Sequence, residues 1–250
     1  FKKYLRDLQC PYQLDKQREA AIFWLASYAL AFDYEDGKES SLPITKKLLP
    51  YTIAIPTTAG TGSEVGGSSV ISDNKDKRKL IIWGQDLIPD QVIAAPELTV
   101  SLPPTITAAT GIDALTHNIE AFLAPNYHPL CTGIALEGVY MVHDNLLRAY
   151  QHPEDLGARG AMLMASMMGA VAFQKGLGVT HSCAHALSTC HDLHHGLCNA
   201  LMLKPCLLFN IERSPEKFAR LGHVIGLNGS MKEKGEGFIA WITRLLKDLN

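Results

Sequence analysis

Five of the ten histidines of this chain, His181, His185, His191, His194 and His195, fall within fifteen positions. Neutral imidazole is a favoured ligand for zinc and for ferrous iron, and three imidazoles with one carboxylate leave a coordination position open for a substrate oxygen. A carboxylate and a further imidazole stand upstream in Gly111-Ile112-Asp113-Ala114-Leu115-Thr116-His117. That segment is an apolar run of helical period, so Asp113 and His117, four residues apart, project from one face. An isolated Asp/His pair at that spacing more often bonds only to itself, and a single His181 or His195 is more often a hydrogen-bonded core histidine. Taken as a group, Asp113, His117, His181 and His195 favour one divalent ion. His191 and His194 are read as surface residues or as partners of the ligands.

A second segment, Thr57-Thr58-Ala59-Gly60-Thr61-Gly62-Ser63-Glu64, follows the apolar stretch Tyr51–Pro56. Its glycines let a ligand approach the backbone and its hydroxyls can hydrogen-bond a phosphate or a ribose. It is neither a Walker loop nor the Gly-x-Gly-x-x-Gly fingerprint, so a plain turn and a ligand loop both remain open on composition.

These residues need elements to hold them. Spacings of three and four over 16–33 predict a helix with one buried stripe; residues 51–56, 80–83 and 92–95 read as short strands. Beyond Ser101-Leu102-Pro103-Pro104 the strand signals stop, and 106–124, 132–151, 158–173 and 238–249 are helical in period. The expectation is an α/β nucleotide-binding domain over residues 1–102, partial, followed by an all-α metal-binding domain over 103–250, the active site lying in the cleft between them. The Pro-Pro pair breaks any regular element at the boundary.

Composition excludes other classes. At 47% hydrophobic and 19% charged with a formal charge of -2, the chain offers no electrostatic footprint for nucleic acid. No membrane association is expected, the Gly160–Phe173 run being rich in small helical residues rather than a bilayer span. Cys10, Cys131, Cys183, Cys190, Cys198 and Cys206 form no Cys-x-x-Cys pair, which favours packing and a reducing cytoplasm over a disulfide scaffold.

The segments PTTAGTGSE (56–64), LPP (102–104), ATGIDALTHNIE (109–120) and GLGVTHSCAHALS continuing to HHGLCNAL (176–201), in this order, resemble the iron-dependent, or group III, alcohol dehydrogenase family. The resemblance implies a hydride transfer between a nicotinamide cofactor, NAD or NADP, and a small alcohol or aldehyde at a divalent metal, iron before zinc. It implies Asp113, His117, His181 and His195 as the metal ligands, His185 as a catalytic histidine beside the nicotinamide, and Thr57, Thr58, Thr61 and Lys79 as cofactor contacts. Alternatives left open are a metal enzyme of the glycerol dehydrogenase or dehydroquinate synthase type, and a non-catalytic metal-bound module. A homo-oligomer is also left open. One departure stands out: the family's Gly-Gly-Gly-Ser-x-x-Asp phosphate loop has as its nearest local match Gln9-Cys10-Pro11-Tyr12-Gln13-Leu14-Asp15, which keeps only the Leu-Asp ending. Family chains are also longer at both ends, so these 250 residues are expected to bind metal but to bind cofactor weakly.

Overall fold

The structure is a computed structural model that describes residues 50–73, 78–191 and 193–249. The expected helix over 16–33 and the Gln9–Asp15 segment lie outside the described residues, as does the side chain of Lys79.

Among the described residues, strands are confined to the first part. β1 (Ile53–Ala54) pairs in parallel with β4 (Gln91–Val92). They are two residues each, so the apolar stretch 51–56 is only partly a strand. Its start is tied by Asp90, whose Oδ2 accepts from the Thr52 amide at 2.8 Å. β2 (Ser68–Asp73) and β3 (Arg78–Trp83) form an antiparallel pair in the register Ser68↔Trp83 to Asp73↔Arg78. β3 contains the expected 80–83 strand. β2 was not foreseen, because four of its six residues are serine or aspartate, weak strand formers that give no apolar run.

From Pro104 onwards the described chain is helical: α1 (Pro104–Leu123), α2 (Pro129–Gln151), α3 (Leu156–Ala172), α4 (Val179–His191), α5 (His195–Ile211), α6 (Pro215–Val224) and α7 (Met231–Asp248). α1 opens on proline, whose missing N–H costs nothing in the first turn. α3 is capped by Asp155, which accepts from the Ala158 amide at 2.9 Å and from Arg148 at 2.6 Å. α7 starts seven residues before the expected 238. Its first two turns are polar and carry no apolar period, but Ser230 and Glu233 form a capping box that fixes the start.

The middle of the helical part is α1, buried on all sides from Gly111 to Phe122. It packs against α2, α3 and α5. Such a helix keeps polar side chains only where each finds a partner. Asn118 shows how: its amide donates to Ala114 O and, across to α3, to Ala165 O, both at 2.9 Å. Glycines make the room, since a Cβ on Gly138 would stand 2.0 Å from Asn118 Oδ1 and one on Gly169 2.9 Å from its Nδ2. At the other end two lysines cap the carbonyls of α1: buried Lys175 donates to Phe122 O at 3.1 Å, and Lys217 to Leu123 O at 2.7 Å.

The stretch Leu156–Lys175 has a mean hydropathy of 1.4 and is long and apolar enough to cross a membrane by composition. Here it is a core element, with Ala158, Met162, Leu163, Ala165, Ala170 and Ala172 buried.

The Thr57–Glu64 loop is pressed against this helical core. Gly62 has φ 61, in the left-handed region, and a Cβ there would stand 2.4 Å from Ser166 O of α3. Glycine is therefore required twice over, by backbone conformation and by contact with another backbone.

Candidate metal centre

α1 delivers the first two groups. Asp113 and His117 both lie on its buried face, as their spacing dictates, and His117 is also flanked by the Phe173 ring at 5.2 Å between centroids. Phe173 in turn meets Trp83 of β3 edge-on at 6.2 Å, which links the hairpin to the site. α4 brings in His181 two residues after its start, its ring stacked on His117 at 4.3 Å. α5 brings in His195 as its first residue.

The four side chains converge on one carboxylate oxygen. Asp113 Oδ1 lies 3.4 Å from His195 Nε2, 3.5 Å from His181 Nε2 and 3.8 Å from His117 Nδ1. Metal–ligand bonds of about 2.0–2.2 Å at tetrahedral angles put ligand atoms about 3.3–3.6 Å apart. Asp113, His117 and His181 therefore fit a small divalent ion, one atom of each lying within 4.8 Å of the other two, while His195 approaches Asp113 without belonging to that mutually close group. His117 Nδ1 is buried without a hydrogen-bond partner, a costly arrangement for a group with nothing to coordinate. A neutral hydrogen-bond donor already stands at the point of convergence: Asn199 Nδ2, 2.6 Å from Asp113 Oδ1, 3.3 Å from His181 Nε2 and 3.2 Å from His195 Nε2.

Charge follows the same geometry. Burial alone would raise the Asp113 pKa, but His117, His181 and His195 beside it hold the carboxyl well below the usual range. Burial is also the largest influence on His117 and takes it down to about 4, the attraction of Asp113 being too weak to compensate. His181 is buried as well, yet it stands between the carboxylates of Asp113 and Glu120, which together push it up to about 9. The site is open on the side of His195, whose side chain is 30% exposed against 4% for Asp113.

His185 lies one turn beyond His181 on α4, its ring 5.0 Å from His195 and 6.1 Å from His181. It borders the cluster on the more open side. His191 and His194 are exposed. In the loop, Thr58 and Thr61 line a cavity of about 280 Å³ together with Ser63, Glu64 and Pro89. Thr57 is exposed and does not line it. Lys79 lies in β3, paired with Ser72.

Two residues of the site were missed in the sequence. Glu120 is buried, and its carboxylate accepts from His181 Nδ1 at 2.7 Å. It continues the helical spacing of Asp113 and His117 by three more residues, a signal available in the sequence. Asn199 stands four residues after His195 on α5 and is likewise on the face that looks at α1.

α5 reaches α1 closely because of Gly196, where a Cβ would stand 2.3 Å from the backbone oxygen of Ala109. Gly196→Ala therefore forces the two helices apart at the turn that carries His195. The expected cost is about 1–3 kcal/mol of stability, together with weakened metal binding, both read from thermal melts with and without added ion. An unchanged metal-induced shift in melting temperature would mean that this close approach does not position His195.

Comparison with known proteins places this arrangement. Residues 107–250 match the model of the Fe-containing alcohol dehydrogenase family, C-terminal, and residues 20–96 that of iron-containing alcohol dehydrogenase. The chain belongs to the iron-containing alcohol dehydrogenase family. Among relatives, it is 44% identical over 204 residues to a 4-hydroxybutyrate dehydrogenase of Cupriavidus necator, covering 78% of this chain and 53% of that protein. It is 37% identical over 188 residues to an NAD-dependent methanol dehydrogenase of Bacillus methanolicus, covering 75% and 49%. A crystal structure of 1,3-propanediol oxidoreductase superposes with a TM-score of 0.81 at 34% identity, covering 88% of this chain and 57% of the other. The chain thus spans about half the length of the relatives it matches.

Proposed function

We propose that this chain carries the metal centre, and the Thr57–Glu64 part of the cofactor site, of a metal-dependent oxidoreductase acting between a nicotinamide cofactor and a small alcohol or aldehyde. The observation that supports it best is the convergence of three imidazoles on Asp113 Oδ1. A divalent ion held there by Asp113, His117, His181 and His195 supplies Lewis acidity to the substrate oxygen, and the nicotinamide supplies or accepts the hydride. The ion in this reading is iron and the location cytoplasmic, both resting on the family; NAD and NADP are equally compatible with the residues present.

The remaining work falls to the chain itself. Asp113 provides the one formal negative charge among the four ligands and so favours a divalent cation over a proton. The Phe173 ring and the buried face of α1 keep water from all but the His195 side, which strengthens every electrostatic contact within. His185, at that side, orients the cofactor ring or passes the hydroxyl proton towards solvent. Thr58 and Thr61 present hydroxyls to a ligand in the loop cavity, and Thr57 and Lys79 complete the set of cofactor contacts carried over from the family.

A phosphate-bearing substrate of the dehydroquinate synthase kind fits less well. It needs free cations near the metal, and Lys175, the nearest basic residue before the histidine cluster in the sequence, is buried with its amine on the Phe122 carbonyl. The test is turnover of simple primary alcohols with NAD and NADP by the full-length protein, after chelation and reloading. Ferrous iron under anaerobic conditions is expected to restore more activity than zinc, although zinc binds such ligands more tightly. Equal or greater rescue by zinc removes iron, and absence of turnover with either ion removes the enzyme reading.

A further inference from the structure

We propose that Glu120 is a positioning residue of the metal centre, fixing through one carboxylate both the ring of His181 and the start of the helix that carries it. The proposal rests on the metal reading above. Glu120 lies on α1, sixty-one residues from His181 in sequence, and is 2% exposed. Its Oε2 accepts from His181 Nδ1 at 2.7 Å, from the Gly178 amide at 3.0 Å and from the His181 amide at 3.2 Å, while Oε1 accepts from the Thr180 amide at 2.7 Å.

Four donors on one carboxylate have two consequences. The amides at the start of α4 have no partner inside their own helix, and an anion there also meets the positive end of the helix dipole. Glu120 thereby ties the first turn of α4 to α1, the helix that holds Asp113 and His117. The second consequence concerns the ring. An ionised carboxylate only accepts, so the ring nitrogen that faces it carries the hydrogen, and in the neutral ring the lone pair is left on Nε2. That is the nitrogen 3.5 Å from Asp113 Oδ1. A carboxylate hydrogen-bonded to a ligating histidine also makes the ring a stronger donor to the metal.

Gly178 belongs to the same device. A Cβ at that position would stand 2.6 Å from Glu120 Oε1, and the atom it meets is the end of a movable side chain. Gly178→Ala therefore displaces the carboxylate without removing its charge. Glu120→Gln does the reverse: it keeps the shape, but its amide group meets backbone N–H groups with hydrogens of its own.

The experiment uses the full chain stripped of metal and titrated with Co2+, whose visible absorption reports the geometry of its ligands. Glu120→Gln is expected to weaken Co2+ binding about 10- to 100-fold and to alter the absorption bands. Gly178→Ala should shift the bands in the same way with a smaller loss of affinity. A folded Glu120→Gln with wild-type affinity and spectrum would make Glu120 a helix cap and nothing more. If that variant does not fold, Gly178→Ala decides, and an unchanged spectrum overturns the proposal. A wild-type chain that takes up no Co2+ removes the underlying metal reading instead, so the two failures are distinct.

Discussion

Replacement of His195 by alanine is expected to abolish both metal loading and activity. A buried four-ligand site binds its ion with about 10–16 kcal/mol at neutral pH, so each ligand carries about 2.5–4 kcal/mol, or about two to three orders of magnitude in Kd. His195 is the most exposed of the four ligands and stands on the open side, so its loss also admits water to the ion. The neighbouring His185→Gln makes the contrast. Its ring lies 5.0 Å from that of His195 and it is not one of the four ligands the family implies, so this variant should keep its metal while turning over more slowly. Elemental analysis separates the two. Full occupancy in the His195 variant overturns the ligand assignment, and loss of metal in the His185 variant makes that residue a ligand.

The legibility of this site in the sequence was uneven, for physical reasons. Asp113 and His117 could be paired because a helix repeats every 3.6 residues, and His181 and His195 because histidines so concentrated are hard to explain by packing. The same periodicity reached Glu120, but a glutamate three residues past a histidine reads as an exposed helical charge until its burial is known. Asn199 carried even less signal, since an amide four residues after His195 is ordinary on any helix. Both contacts depend on α4 and α5 meeting α1, an arrangement fixed by close approaches such as Gly196 against Ala109 rather than by local pattern. The strand β2 was hidden for a different reason, its pairing with β3 being made by backbone groups that polar side chains do not reveal. The helices α1, α2, α3 and α7 were plain, because long periodic apolar stripes leave few other solutions, whereas α4, α5 and α6 were not assigned as individual helices. The loop threonines were recognised as a set, yet only Thr58 and Thr61 line the cavity, because the chain turns Thr57 outward before it is pinned at Gly62.

Metal affinity is expected to rise steeply with pH. Without metal, His181 sits between two carboxylates and its pKa rises from its ordinary 6.5 to about 9, so at neutral pH it carries a proton. His117, taken down to about 4 chiefly by burial, is already neutral there. An ion needs the neutral form of both rings, so binding near pH 7 must expel one proton from His181. Affinity should therefore increase about tenfold per pH unit up to about pH 9, or about 100-fold between pH 6 and 8. The stability of the metal-free chain runs the opposite way. A histidine with a raised folded-state pKa contributes stability that is complete below 6.5 and is lost as pH passes about 9. The gap between the melting temperatures of the metal-free and metal-loaded chain should then widen from pH 6 to pH 9. Calorimetric titration in buffers of different ionisation enthalpy counts the proton directly, with one expected per ion at pH 7. Binding that releases no proton and has the same Kd at pH 6 and pH 8 would mean that the two carboxylates do not hold His181 in its charged form, and that the ion enters a site already neutral.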